Sequence, residues 1–145
     1  MTPPPFRFTE RVRWADVDLV GIMRFSAVTR FIEMAEQELL RDAGMPFSEL
    51  FGPDTVWMPR RHLAIEYLAP ARIDELLTVE VWISKMGTTS LTFSCELLLP
   101  DERVVARAAM VVVCVTTAFE KRPLPRVVRE KLDPYLIASE SPPPG

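Results

Sequence analysis

Apolar residues recur at helical spacing through Val28, Phe31, Ile32, Ala35, Leu39 and Ala43, while Glu33, Glu36, Gln37, Arg41 and Asp42 fall mostly on the other faces. That period predicts one long amphipathic helix over residues 27–43, with Ser26 as its N-cap and Gly44 as its stop. Elsewhere the period is two. The stretch from Phe6 to Trp14 alternates in part, as a half-buried strand does. Leu77, Val79, Val81 and Ile83 alternate cleanly with Thr78, Glu80, Trp82 and Ser84. Four strands are expected after the helix, over 58–68 (broken by Pro70), 76–85, 90–99 and 104–117. Turns at Met86-Gly87 and Pro100-Asp101-Glu102 give them the spacing of antiparallel hairpins.

Residues 45–57, with Pro46, Gly52 and Pro53, read as a loop carrying one helical turn near 47–50, and 126–136 as a short terminal helix. The Pro-rich ends, 1–5 and 137–145, read as flexible tails. The whole is one α+β domain over residues 1–145, a central helix wrapped by about five antiparallel strands. Such a curved sheet leaves long edges, commonly managed by pairing with a second copy.

Composition narrows this picture only a little. The 145 residues suffice for one core without metal or disulfide. A net charge of −3 argues against a nucleic-acid module, which carries a basic patch. No apolar run approaches the roughly 20 residues that cross a bilayer, and the N-terminal stretch lacks the apolar segment of a signal peptide. A cytoplasmic protein with no membrane partner is expected. Cys95 and Cys114 lie in apolar runs and read as small core residues. One histidine and no Cys/His cluster give no expectation of a metal.

The chemistry is concentrated where the first strand gives way to the helix. Asp16 and Asp18 alternate with apolar residues there, Gly21 permits a sharp turn, and the helix follows. A carboxylate just before a helix N-terminus can act as base or nucleophile, while free helix N–H groups hold a developing negative charge. Asp16 also reads as a strand-end acid that pairs with a nearby arginine or faces water. His62, beside Arg60 and Arg61, reads as a half-buried strand histidine. Ser90 and Thr92 are explained by strand alternation with Leu91 and Phe93, and no relay motif accompanies them.

Three stretches, taken together and in order, resemble the hotdog-fold thioesterases of the 4-hydroxybenzoyl-CoA thioesterase family. They are Asp16-Val17-Asp18-Leu19-Val20-Gly21, then Ile65-Glu66-Tyr67-Leu68-Ala69-Pro70-Ala71-Arg72 with Asp74-Glu75-Leu76, and Arg122-Pro123-Leu124-Pro125. Gly87 followed by Ser90-Leu91-Thr92-Phe93 also fits. The resemblance implies a hotdog fold and hydrolysis of an acyl-CoA to free acid and CoA, with no cofactor besides the CoA of the substrate. It implies Asp18 as catalytic carboxylate, Gly21 as the turn glycine, and the Phe25 N–H as the group that polarises the thioester carbonyl. Glu33 falls where an acid meets the far end of the acyl group. Arg24, Arg60 and Arg61 are further candidates for binding substrate, the last two as an exposed face or an anion clamp for the pantetheine phosphates. A homodimer, paired again into a tetramer, follows from the same resemblance.

The departures from the family pattern are informative. Many relatives have Tyr-His-x-Asn-Tyr where this chain has Arg24-Phe25-Ser26-Ala27-Val28, which makes the pocket mouth more apolar and favours a larger acyl chain. Thr88 stands where a basic residue usually follows Gly87, with Arg60, Arg61, Lys85, Lys121 and Arg122 as candidates to compensate. An acyl-carrier-protein (acyl-pantetheine) thioesterase and a catalytically silent acyl-thioester-binding protein are the alternatives these departures raise.

Overall fold

The computed structural model describes residues 3–50 and 56–138. The expected loop glycine and proline, Gly52 and Pro53, lie outside the described residues, as do 1–2 and 139–145 of the two expected tails. The elements run β1 (Phe6–Arg11), α1 (Val28–Asp42), α2 (Phe47–Leu50), β2 (Arg60–Tyr67), β3 (Leu76–Met86), β4 (Ser90–Leu98), β5 (Val104–Val113) and α3 (Arg126–Leu132). The strands form one antiparallel sheet in the order β1-β3-β4-β5-β2. Hairpin connections place β3, β4 and β5 side by side, and the strands flanking the helix in sequence become the two edges.

The period-two pattern of β3 does what it predicts. Leu77, Val79, Val81 and Ile83 are fully buried and face the apolar stripe of α1, where Val28, Phe31, Ile32, Ala35, Leu39 and Leu40 are also buried. Leu91, Phe93, Cys95 and Leu97 of β4 and Ala106, Ala108, Met110 and Val112 of β5 extend the same layer. Burying each large aliphatic side chain contributes about 1.5–3 kcal/mol, so this one-sided layer carries the fold. Cys95 and Cys114 are buried free thiols; burial pushes Cys95 up to about 12, which suits an inert core residue.

Several boundaries move for local reasons. β1 stops at Arg11 and not at Trp14, because Trp14–Asp16 form a 3-10 turn. Ser26 is not the N-cap of α1. The chain enters the helix through a second 3-10 turn, Phe25–Ala27, and the Ser26 carbonyl instead accepts the Thr29 hydroxyl at 2.6 Å. β5 ends at Val113, after which Val115 makes only isolated bridges to Trp57 and Lys121. The C-terminal helix closes at Leu132, followed by a 3-10 turn over Asp133–Tyr135. The expected tail does not begin at Ile137, whose N–H donates to Ile83 at 2.8 Å. Tyr135 donates its hydroxyl to Asp42 at 2.6 Å and fastens the C-terminal segment to the end of α1. Gly44 ends α1 at a φ of 83°, the left-handed value a C-terminal glycine supplies.

Candidate active site

Between β1 and α1 the chain makes a tight protruding loop with Asp18 near its tip. Val17 and Met23 bridge across its base, and Ile22 bridges to Arg72 on the neighbouring segment. Met23 N–H donates to Ala71, and Ile73 N–H donates to Gly21. Gly21 closes the loop at a φ of 78°, and open space surrounds the point where a Cβ would sit. Glycine is therefore required here by backbone conformation and not by crowding.

Asp18 is exposed and half-tethered. Its Oδ1 accepts the N–H groups of Val20 at 2.9 Å and Ile22 at 3.3 Å, an Asx-type turn. Its Oδ2 accepts nothing among the described residues. Asp18 lines a cleft of about 470 Å³ together with Trp14, Val17, Leu19, Gly21 and Ile73. One carboxylate oxygen held by two donors fixes the plane of the group and leaves the other oxygen for chemistry.

Most N–H groups at the helix entrance are already engaged. Ile22 bonds Asp18, Met23 bonds Ala71, Arg24 donates to the Asp16 carbonyl at 2.8 Å, and Ala27 donates to Arg24. Of the N–H groups around Ile22 to Phe25 that the resemblance implies for an oxyanion, Ile22, Met23 and Arg24 are thus committed. Phe25 and Ser26 are the two whose N–H has no acceptor among the described residues, as the first positions of a helical run require. The peptide between them is oriented from outside: Tyr67 of β2 donates its hydroxyl to the Phe25 carbonyl at 2.9 Å. The Phe25 side chain is 76% exposed, so its position contributes backbone to the site and side chain to the surface.

Behind the loop sits a charged cluster. Asp16 is only 3% exposed. Arg30, in the first turn of α1, reaches it with Nε at 2.8 Å to Oδ1 and Nη2 at 2.5 Å to Oδ2. The Arg13 N–H adds a third bond to Asp16 at 2.8 Å, and Arg30 Nη1 meets Glu10 of β1 at 3.0 Å. Burial pushes the Asp16 carboxyl up, but the Arg30 fork, the Arg13 N–H and both positive charges outweigh it and hold the group below its usual range. Glu10 is lowered too, burial being outweighed by the Arg11 N–H and the Arg30 and Arg13 side chains. The expected pairing of Asp16 with an arginine is what the structure shows.

A second cavity, of about 380 Å³, opens beside the middle of α1 and is lined by Glu36, Phe47, Val56, Trp57, Met58, Pro59, Arg60 and Phe119. Glu36, expected off the apolar face, is instead 1% exposed. Arg60 grips it through Nη2 at 2.5 Å to Oε1 and Nη1 at 3.1 Å to Oε2. Burial raises the Glu36 carboxyl above its usual range, against the opposing pull of Arg60 and with some help from Glu33.

The structure thus brings Asp18 and Gly21 together in one cleft, with Phe25 at the adjoining helix entrance. It does not bring the remaining candidates there. Arg24 is exposed and spends Nη2 on the Ala15 carbonyl at 2.5 Å, bracing the loop. Glu33 is exposed on α1 and lines neither cavity. Arg60 does not stand free as an anion clamp, because its guanidinium is committed to Glu36 and to the Met58 carbonyl. Arg61 and His62 are exposed on β2 and make no ion pair among the described residues. Tyr67, Arg30 and the burial of Glu36 were not singled out by the sequence pattern. Each depends on a partner at least fourteen residues away, which local spacing does not reveal.

Comparison with known proteins identifies the family and the fold. The profile of the thioesterase-like superfamily matches residues 12–132. The acyl-CoA thioester hydrolase YbgC of Escherichia coli is 31% identical over 124 residues, covering 85% of this chain and 92% of that protein. A 1,4-dihydroxy-2-naphthoyl-CoA hydrolase of Nostoc punctiforme is 25% identical over 129 residues, covering 88% of this chain and 86% of that protein. Among solved structures, a 1,4-dihydroxy-2-naphthoyl-CoA thioesterase from Synechocystis superposes with a TM-score of 0.82 at 22% identity, covering 88% of this chain and 95% of that one.

Proposed function

The chain belongs to the thioesterase-like superfamily, and from that membership we propose that it is an acyl-CoA thioesterase whose reacting group is Asp18. It hydrolyses the thioester to a free acid and CoA. The single observation that carries the site assignment is the half-tethered Asp18 carboxylate in the cleft, one oxygen bonded to Val20 and Ile22 and the other without a donor among the described residues. The N–H groups of Phe25 and Ser26, at the positive end of the α1 run, receive the carbonyl oxygen as it gains charge.

Two routes use the same oxygen. Asp18 attacks the thioester carbon, expelling the CoA thiolate and leaving a mixed anhydride that water then cleaves. Or Asp18 takes a proton from water as that water attacks. In both, water supplies the oxygen of the new acid and the thiolate leaves as thiol, so no further co-reactant is needed. The apolar lining of the cleft, Trp14, Val17, Leu19 and Ile73, favours a bulky apolar acyl group over a short polar one.

The working enzyme is a cytoplasmic homodimer or a tetramer built from it. β2 is an edge strand, and Leu63, Tyr67 and Leu68 on or next to it are exposed, as is Trp14 at 83%. A free strand edge with adjoining apolar surface is what a second copy covers. Among the described residues no helix is long and apolar enough to cross a membrane.

The test is thiol release from a panel of acyl-CoAs by wild type and Asp18→Asn. The substitution keeps shape and removes the base. We expect a loss of about 10²–10⁴-fold in kcat, and fastest turnover on bulky apolar acyl groups. Equal activity of the two proteins would place the chemistry elsewhere.

A further inference from the structure

We propose that Asp16 and Arg30 are positioning residues for hydrolysis, a buried charged clamp that holds the Asp18 loop in register with the entrance of α1. The role rests on Asp18 being the reacting carboxylate. Neither residue lines the cleft. Their importance lies in what they connect.

Asp16 is bonded to both limbs of the loop. Its side chain accepts the Arg13 N–H on the incoming limb, and its carbonyl accepts the Arg24 N–H on the outgoing one, each at 2.8 Å. Among the main-chain bonds, Met23 to Ala71 and Ile73 to Gly21 tie the loop to the segment before β3, and the Arg24 bond to Asp16 reaches only the residue before the helical run. The side-chain link from the loop base to α1 is the Arg30 fork on Asp16. Arg30 starts one turn inside the helix whose first N–H groups receive the oxyanion, and Nη1 anchors it to Glu10 of β1. A planar two-pronged contact fixes both distance and rotation, which a single bond or a lysine does not. The separation between the Asp18 carboxylate and the Phe25–Ser26 N–H groups is thus set from behind.

The expected consequence is kinetic. With the clamp removed, the main-chain bonds keep the loop folded while its angle to α1 relaxes, and misplacement of reacting groups by about 1 Å costs on the order of 100-fold in rate. Asp16→Asn, Arg30→Lys, Arg30→Met and the double variant Asp16→Asn/Arg30→Met are measured on the full chain with an acyl-CoA substrate, separating kcat from KM. Each is assayed well below its unfolding midpoint, with Asp18→Asn alongside. The double variant removes the Asp16–Arg30 pair whole and leaves Glu10 with Arg13, so it folds even where Arg30→Met does not.

We expect roughly 10–100-fold losses in kcat for Asp16→Asn and Arg30→Met, with KM within about twofold. Arg30→Lys recovers part of the rate, and the double variant is no slower than the worse single one. Unchanged kcat in folded variants, with only the unfolding midpoint shifted, overturns the positioning role and leaves the Asp18 assignment standing. Losses that multiply in the double variant also overturn it, since a clamp acts as one unit. Full activity of Asp18→Asn removes the assignment on which the clamp depends.

Discussion

Two buried acids, each gripped by an arginine side chain, sit in the turn before α1 and at the middle of α1 and behave in opposite ways. Asp16 and Glu36 are 3% and 1% exposed, and each meets an arginine Nη2 at 2.5 Å. Yet Asp16 is held below its usual range and Glu36 above it. The difference is in the company. Asp16 receives a main-chain N–H and a second nearby arginine, inside a cluster of two acids and two arginines. Glu36 has Arg60, whose side chain is 44% exposed, and a like charge at Glu33. A close ion pair does not decide by itself whether burial favours the charge; the count of additional donors does.

The largest break in this comparison comes from Arg30→Met. It leaves Asp16 with one main-chain N–H and Glu10 with Arg13, and breaking a buried pair by removing one partner costs about 3–5 kcal/mol. Urea unfolding at neutral pH measures the loss, and a drop below about 1 kcal/mol would show that the cluster is not the staple it resembles. Arg30 also stacks over the Phe31 ring at 4.6 Å, which Met replaces with apolar contact, so the loss reports mainly charge.

A smaller and sharper contrast is in the pH dependence of Asp16→Asn and Glu36→Gln. Asp16 has a folded pKa below its unfolded value near 3.9, so the unfolded chain binds more protons in that window. Its contribution is present above about pH 4 and is lost as pH falls through the lowered folded value. Asp16→Asn is therefore destabilised by about 2 kcal/mol at neutral pH, and the deficit closes in acid. Glu36 has the reverse sign. Its raised folded value means the native state binds more protons, so its contribution declines as pH rises from about 4.3 through the folded value. Glu36→Gln is expected within about 1 kcal/mol of wild type at neutral pH, with wild type gaining on it in acid. Parallel unfolding curves across pH for both variants would dissolve the distinction.

The same comparison explains what the amino-acid pattern disclosed. The helix and β3 are set by strict periods of 3.6 and two, and both were legible almost to the residue. The turn at Gly21 was legible because a positive-φ glycine is a local feature, whereas Asp18 was chosen by the family resemblance and not by spacing. Glu36 was misread through its charge alone. It lies four residues beyond Ile32 and four before Leu40, squarely on the buried stripe, but a carboxylate argues for the surface until a countercharge is known. Arg60 supplies that charge from 24 residues away. Arg60, read as an exposed face or an anion clamp, gave no sign of its pairing with Glu36 because that partner lies far off in sequence. Arg30 was hidden likewise, since Asp16 comes within its reach only after the loop has folded back on α1.

The smallest expected effect comes from a neutral counterpart of the clamp. Asp16 and Arg30 steady the entrance of α1 from the β1 side with buried charges; Tyr67 steadies it from β2 with one exposed hydroxyl on the Phe25 carbonyl. That carbonyl and the Ser26 N–H belong to one planar peptide, so restraining the oxygen also aims the N–H. Hydrogen bonding to the carbonyl also polarises the peptide and strengthens the opposite donor. Tyr67→Phe removes only the hydroxyl. A neutral hydrogen bond contributes about 0.5–1.5 kcal/mol, so kcat should fall roughly two- to tenfold, with thermal stability nearly unchanged. If Tyr67→Phe costs as much kcat as Asp16→Asn, the entrance is set from both sides equally and buried charge has no special part in it. If it costs nothing while Asp16→Asn costs the expected 10–100-fold, the register of Asp18 and the oxyanion donors is held from the β1 side alone.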